Sequence, residues 1–213
     1  MLVKQKKLKK KDVIYCKETD TISDVFEQLK TSGYRCIPVL DAVGEKFVGN
    51  IYKVKVLEYI LDQGNMEEPI SELTEEKEAF VYENSSFFEV FHSIKILPYL
   101  AVVDTNGNFS GILPHSKVFE LLEEAWGYKT GSCALTIALP DASGILINVL
   151  KSIKKIHPVH CVFSLDDDNT YLRRIILTLT KGAKQKEVDA IEASLSKVGA
   201  RIIDIEVFDK VNF

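Results

Sequence analysis

An internal repeat constrains this chain most: one order of elements runs from Ile14 to Leu61 and returns from Phe80 to Leu122. In the first pass Ile14, Tyr15 and Cys16 predict a short strand. Thr21 with Asp24 three residues on predicts a capped helix start, and Ile22, Val25, Phe26 and Leu29 give that helix one apolar stripe ending near Gly33. The run GYRCIPVLD (Gly33 to Asp41) predicts a strand, Val48 and Gly49 open a second, and from Val54 the spacing of Val56, Leu57, Ile60 and Leu61 turns helical. In the second pass Phe80 to Tyr82 answer the first strand. Ser86 with Glu89 repeats the cap, Phe87, Val90, Phe91 and Ile94 repeat the stripe, YLAVVD (Tyr99 to Asp104) answers CIPVLD, and GILPHSK (Gly111 to Lys117) answers GNIYKVK (Gly49 to Lys55). The offset drifts from 65 residues (Thr21 to Ser86) to 63 (Asp41 to Asp104) and 62 (Gly49 to Gly111), so length changes fall in loops. Two β-α-β-β-α units, each too small to close a core alone, are expected to join as one module. Gly49 and Gly111 mark points where a backbone or a ligand comes close.

The last third has a different pattern. Cys133 to Leu139, His160 to Leu165, Arg173 to Thr180 and Arg201 to Phe208 predict strands. Ile145, Leu146, Val149, Leu150 and Ile153 predict one helix, and Lys184 to Lys197 another. The order β-α-β-β-α-β is the ferredoxin-like split unit. The segment EEAWGYKTGS between the two patterns reads as a linker, in which Trp126 is a stacking surface or, by default, packs the linker onto a domain.

Composition excludes several classes. A net charge of −4 argues against a nucleic-acid binder, no apolar run reaches the roughly 18 residues of a membrane span, and no export signal follows the lysine-rich start. Cys16, Cys36, Cys133 and Cys161 are widely spaced inside apolar segments, which predicts reduced thiols and a cytoplasmic protein. The six lysines between Lys4 and Lys11 can meet lipid, nucleic acid or a ligand's phosphates, with a solvated arm as the default. His157, His160 and Cys161 invite a metal reading, but neighbouring strand residues alternate faces, so a structural role is expected. Asp166 to Asp168 read as a solvated turn rather than a Ca²⁺ clamp. No catalytic set assembles, and neither a metal nor a cofactor is expected.

The repeated unit, with GYRCIPVLD as its most specific stretch, resembles a tandem pair of CBS domains, the Bateman module, over about residues 12 to 124. The resemblance implies adenine-nucleotide binding in clefts between the repeats. The family's mononucleotide binders commonly carry Thr or Ser, two residues, then Asp at the entrance to the last helix. Here those positions hold Tyr52 and Lys55 in one repeat and Pro114 and Lys117 in the other. Lysine cannot accept from a ribose hydroxyl but can face a phosphate, unless both lysines are merely exposed.

The last third, with Asp141, Ala142, Ser143 and Gly144 before Ile145, resembles an ACT domain over about residues 132 to 210. That resemblance implies an effector loop at Asp141, Ser143, Gly144 and Ile145, which senses an amino acid or only dimerises. Together these imply an α+β protein divided into a basic arm (1–11), first repeat (12–63), second repeat with its leading linker (64–124), linker (125–131) and ACT-like domain (132–213). The CBS–ACT order is similar to small bacterial CBS proteins that bind cyclic di-AMP. The implied function is a non-enzymatic sensor signalling to a protein partner, as a homodimer, without membrane insertion. On this reading the nucleotide site comprises Tyr15, Cys16, Tyr34, Arg35, Cys36, Ile37, Pro114, His115 and Lys117. A second comprises Tyr52, Lys53, Lys55, Tyr82 and Tyr99. An AMP or ATP sensor, an amino-acid sensor and a purely dimerising protein remain the alternatives.

Overall fold

The computed structural model describes residues 3–94, 97–140, 142–165 and 172–208, without the side chains of Phe87, His92 and Leu172. Asp141 and Asp166 to Asp168, singled out above, lie outside the described residues. The chain forms two compact units, Met1–Val118 and Phe119–Phe213.

In the first unit both repeats take the expected order. The first runs β2 (Cys16–Lys17), α1 (Ile22–Ser32), β3 (Cys36–Leu40), β4 (Phe47–Tyr52) and α2 (Lys53–Leu61). After a leading β1 (Leu8–Lys9) ahead of that repeat, the second runs β5 (Phe80–Tyr82), α3 (Phe87–Ser93), β6 (Tyr99–Val103), β7 (Phe109–Pro114) and α4 (His115–Trp126). Both caps form as read: the Thr21 hydroxyl accepts from the Asp24 N–H at 3.1 Å and Ser86 from the Glu89 N–H at 3.4 Å, a device that stabilises a helix start by about 1 kcal/mol. Gly33 closes α1 in the left-handed conformation, φ 74°. Ile22, Val25 and Leu29 bury the α1 stripe against Ile37, Val39 and Ile51. On α2 the stripe is narrower than its spacing predicts: Val56 is buried while Leu57 and Leu61 stand exposed.

The sheets have the orders β2-β3-β4 and β1-β7-β6-β5. An aromatic cluster joins the repeats, with Phe47 stacked on Phe109 and set edge-on to Phe80. The lysine-rich start is not the solvated arm expected. Leu8 and Lys9 pair antiparallel with Ile112 and Gly111, Val3 is fully buried, and Lys7 makes an ion pair with Glu83, which Ser110 also reaches. Lysines whose stems cover apolar surface while their heads find carboxylates form an edge strand as readily as an arm. The Lys7 ammonium, with Ser110, holds the Glu83 carboxyl below its usual range. The leader of the second repeat does the reverse service, Asn50 bridging to Glu75 beside Gly49. Each repeat is therefore completed by the segment that precedes the other, and both glycines admit a leader's backbone rather than a ligand.

The second unit is a four-stranded antiparallel sheet of order β11-β8-β10-β9, built from β8 (Gly131–Pro140), β9 (Val159–Leu165), β10 (Leu172–Thr180) and β11 (Arg201–Val207). Helices α5 (Ile145–Lys154) and α6 (Gln185–Ser196) lie on one face. This is the ferredoxin-like βαββαβ arrangement. Leu135, Ile137, Ile175 and Leu177 meet Val149, Ile153, Val188 and Ile191 in its core. His157 is buried there, Nδ1 3.1 Å from Glu187 and Nε2 3.1 Å from the Thr180 carbonyl, tying α6 to β10. His160 instead faces the Glu124 carbonyl at 3.5 Å and Cys161 the Trp126 carbonyl at 3.4 Å, so the three side chains do not converge. Replacing the buried His157 by Ala removes both of its ties between α6 and β10 and is expected to cost about 1–3 kcal/mol. Urea unfolding followed by emission of Trp126, the sole tryptophan and part of this unit, measures it.

Candidate functional site

Two adjoining cavities lie in the first unit. The inner, of about 460 Å³, is the cleft between the repeats, walled by Tyr34, Arg35, Ile37 and Pro38 from one side and by Ile112 and Pro114 from the other. The segment ahead of β2 closes it with Asp12, Val13 and Ile14. The outer, of about 570 Å³, shares Arg35, Cys36 and Pro98 with the inner and adds Tyr52, Lys53 and His115.

The run into β3 positions these groups. β3 is buried along its whole length, so the chain emerges at Tyr34 and Arg35 with both side chains exposed. Arg35 makes no ion pair among the described residues and lines both cavities. Cys36 lies at the same wall with its thiol pushed up to about 11, chiefly by burial. A thiol raised in the folded state keeps its proton after the unfolded chain has lost it. Its share of stability is full below about pH 9, its ordinary value, and falls between pH 9 and 11 by up to about 1.4 kcal/mol per pH unit. Urea melts from pH 8 to 11 are expected to show that slope, diminished in Cys36→Ala.

At the repeat equivalent of the inner cleft the polar side chains bond to one another. Strand register makes Tyr99 the counterpart of Cys36, Asn50 of Ile112 and Tyr52 of Pro114. The Tyr99 hydroxyl donates to Asn50 Oδ1 at 2.7 Å and lies 3.5 Å from Cys36 Sγ. The Asn50 amide donates to Glu76 at 3.0 Å and Tyr52 to the same carboxylate at 2.5 Å. Burial, with the neighbouring Cys36, raises the Tyr99 hydroxyl well above its ordinary range, so it stays a neutral donor. Glu76 takes a left-handed backbone, φ 55°, to meet both donors, a conformation that costs about 1–3 kcal/mol in a residue with a side chain. The polar groups that would hold a second ligand are thus spent on one another.

Several residues expected at the sites lie elsewhere. Cys16 is buried behind β3, its thiol 3.8 Å from the Pro38 carbonyl and raised by burial, because alternation turns it toward α1. Tyr15 turns the other way and sits edge-on to Phe109 in the cluster between the sheets. Lys117 is half-buried one turn into α4 and lines neither cavity. Lys55 lies 3.4 Å from Glu58 and 3.7 Å from Glu75, which raise its ammonium's pKa. Tyr82 packs edge-on to Phe80. Ser143 and Gly144 are exposed, with Gly144 at φ 78° leading into α5, and Ile145 packs toward the core. Sequence reading missed Asp12 and Pro98. The latter was within reach, since the repeat offset of 63 puts it opposite Arg35.

Residues 6–62 match the CBS domain family. No curated protein matches the chain. Among solved structures, CbpB in complex with c-di-AMP aligns at TM-score 0.53 and 21% identity, over 58% of this chain and 85% of that one. A CBS domain pair/ACT domain protein from Thermotoga maritima aligns at TM-score 0.51 and 21% identity, over 59% and 98%. A CBS domain-containing protein from Bacillus anthracis aligns at 0.52 and 23%, over 58% and 94%. At these identities the likeness is one of fold, and it agrees with the strand orders and the two repeats described above. Residues 6–62 thus resemble a CBS domain, within a chain whose fold is that of a tandem CBS pair followed by a ferredoxin-like second unit.

Proposed function

We propose that this chain is a non-enzymatic sensor that binds one molecule of cyclic di-AMP per chain and passes its ligand state to a protein partner. The observation that carries this reading is the continuity of the two cavities through Arg35, Cys36 and Pro98. A mononucleotide fills one of them. A ligand with two bases joined by two phosphates suits both, with an adenine against Tyr34, Ile37, Pro38 and Ile112 and phosphates toward Arg35, Lys53 and His115. Asp12 offers an acceptor for the adenine amino group. Neither Lys55 nor Lys117 is needed, and a ribose-gripping Asp is less useful to a ligand without free 3′-hydroxyls. The bound c-di-AMP of the CbpB structure agrees with this choice. The exposed Val54, Leu57 and Leu61 on α2 favour action as a homodimer, and the buried or half-buried free thiols favour a reducing, cytoplasmic setting. Among the described residues no helix is long and apolar enough to cross a membrane.

Calorimetric titration with cyclic di-AMP, AMP and ATP tests the reading. Micromolar or tighter binding of the dinucleotide, about −8 kcal/mol or better, at one per chain is the expected result. Binding of AMP or ATP in preference, or two dinucleotides per chain, overturns it.

A further inference from the structure

The second unit has a cavity that the nucleotide reading does not use. Helices α5 and α6 cover one face of its sheet. On the other face β8 and β10 present the small floor of Ala134, Ile176 and Thr178. Trp126, the last residue of α4, Tyr128 just beyond it, and Phe208, after β11, wall a space of about 410 Å³ over that floor. Trp126 is anchored edge-on to Phe163 with centroids 5.6 Å apart, and Tyr128 to Phe208 at 5.2 Å. The rings are braced, yet Trp126 and Tyr128 remain 46% and 54% exposed. Two carboxylates, Glu123 and Glu206, complete the lining.

Aromatic faces carry negative potential and attract a desolvated cation, and carboxylates at the rim add to the same sign. The donors in the lining are neutral, the Trp126 indole and the Tyr128 and Thr178 hydroxyls, and the two carboxylates disfavour an anion. The rim already shows its preference in the chain itself, because the Lys129 ammonium lies 2.8 Å from Glu123 Oε2. Glu123, followed by Glu120 and Glu124, holds that ammonium's proton more firmly than usual. Glu206 makes no ion pair among the described residues, which leaves one rim carboxylate for a ligand.

We infer that the cavity formed by Trp126, Tyr128 and Phe208 over the open sheet face, with Glu206 at its rim, is a binding site for a small alkylammonium ion. The cation lies against the rings with its charge toward Glu206, and its alkyl groups rest on Ala134 and Ile176. The site lies wholly within the second unit and is separate from the exposed loop at Ser143 and Gly144.

Trp126, the sole tryptophan, makes the test direct on the full chain. Choline is titrated while tryptophan emission is recorded, with 3,3-dimethylbutan-1-ol as the uncharged isostere and sodium chloride as the ionic control. A saturable change for choline below about 10 mM, absent with the isostere and the salt, is expected. Glu206→Gln and, independently, Tyr128→Leu are each expected to weaken it about threefold or more with an unchanged circular dichroism spectrum. Equal binding of the isostere, no saturable response, or full affinity in both variants overturns the inference. None of these outcomes depends on whether a nucleotide binds in the first unit.

Discussion

Gly111→Ala is expected to destabilise the CBS pair by about 3 kcal/mol or more, far beyond the usual cost of a methyl group in a strand. Gly111 has φ 150°, and a Cβ there would stand 1.9 Å from the Leu8 carbonyl oxygen and 3.0 Å from its carbon. Backbone cannot yield as a flexible side chain can, so β1 must leave its place beside β7. With it go the burial of Val3 and the ion pair between Lys7 and Glu83. Gly107→Ala is the control, since Gly107 also has a positive φ, 81°, but nothing within 4 Å of the added atom. That variant keeps the conformational cost and lacks the clash. Urea melts followed by circular dichroism should separate the two by the price of the displaced strand. In a chain lacking its first nine residues the difference should shrink, because coupled changes are not additive. Equal melts for both alanine variants in the full chain would show that the approach of Leu8 contributes nothing.

Arg35→Glu is expected to weaken cyclic di-AMP binding by about 100-fold, the equivalent of roughly 2–3 kcal/mol for charge-assisted hydrogen bonds lost to a phosphate. Arg35 is exposed and unpaired among the described residues, so its replacement should leave the fold within about 0.5 kcal/mol of the parent. The change inverts the charge at the wall shared by the two cavities and therefore acts on any ligand that spans them. Calorimetry on the variant, with its melting curve alongside, reads both quantities. An affinity within threefold of the parent would place the phosphates elsewhere.

Local signals were legible in the sequence because they act over a few residues. The caps at Thr21 and Ser86, the stop at Gly33 and the matched strands at Cys36 and Tyr99 are short-range devices, and the structure has each. The partner of a two-residue strand is set by distant chain, so Leu8 and Lys9 read as part of a solvated arm while they in fact pair with β7. The glycine signal itself was sound. Close approach at Gly49 and Gly111 was readable, and only the identity of what approaches was hidden. Tyr34, Arg35, Cys36, Ile37 and Pro114 line one cleft, whereas alternation sends Tyr15 and Cys16 into two different cores. At the repeat equivalent of that cleft, the bonding of the polar groups to one another had a trace in the sequence. Asn50 and Tyr52 stand where the other repeat has Ile112 and Pro114, and a polar pair against an apolar one marks the two clefts as unlike.

The exchange of leaders bears on how such a chain can be divided. Leu8 completes the sheet of the second repeat, and Glu75 sits beside the second strand of the first. Neither stretch is whole within its own boundaries. A gene fragment encoding one repeat would yield a protomer with an unfilled edge and a leader without a seat, and two such protomers could satisfy each other only by swapping. The smallest self-sufficient form of this pattern is therefore a pair, and joining the two in one polypeptide replaces an encounter between molecules by a tether.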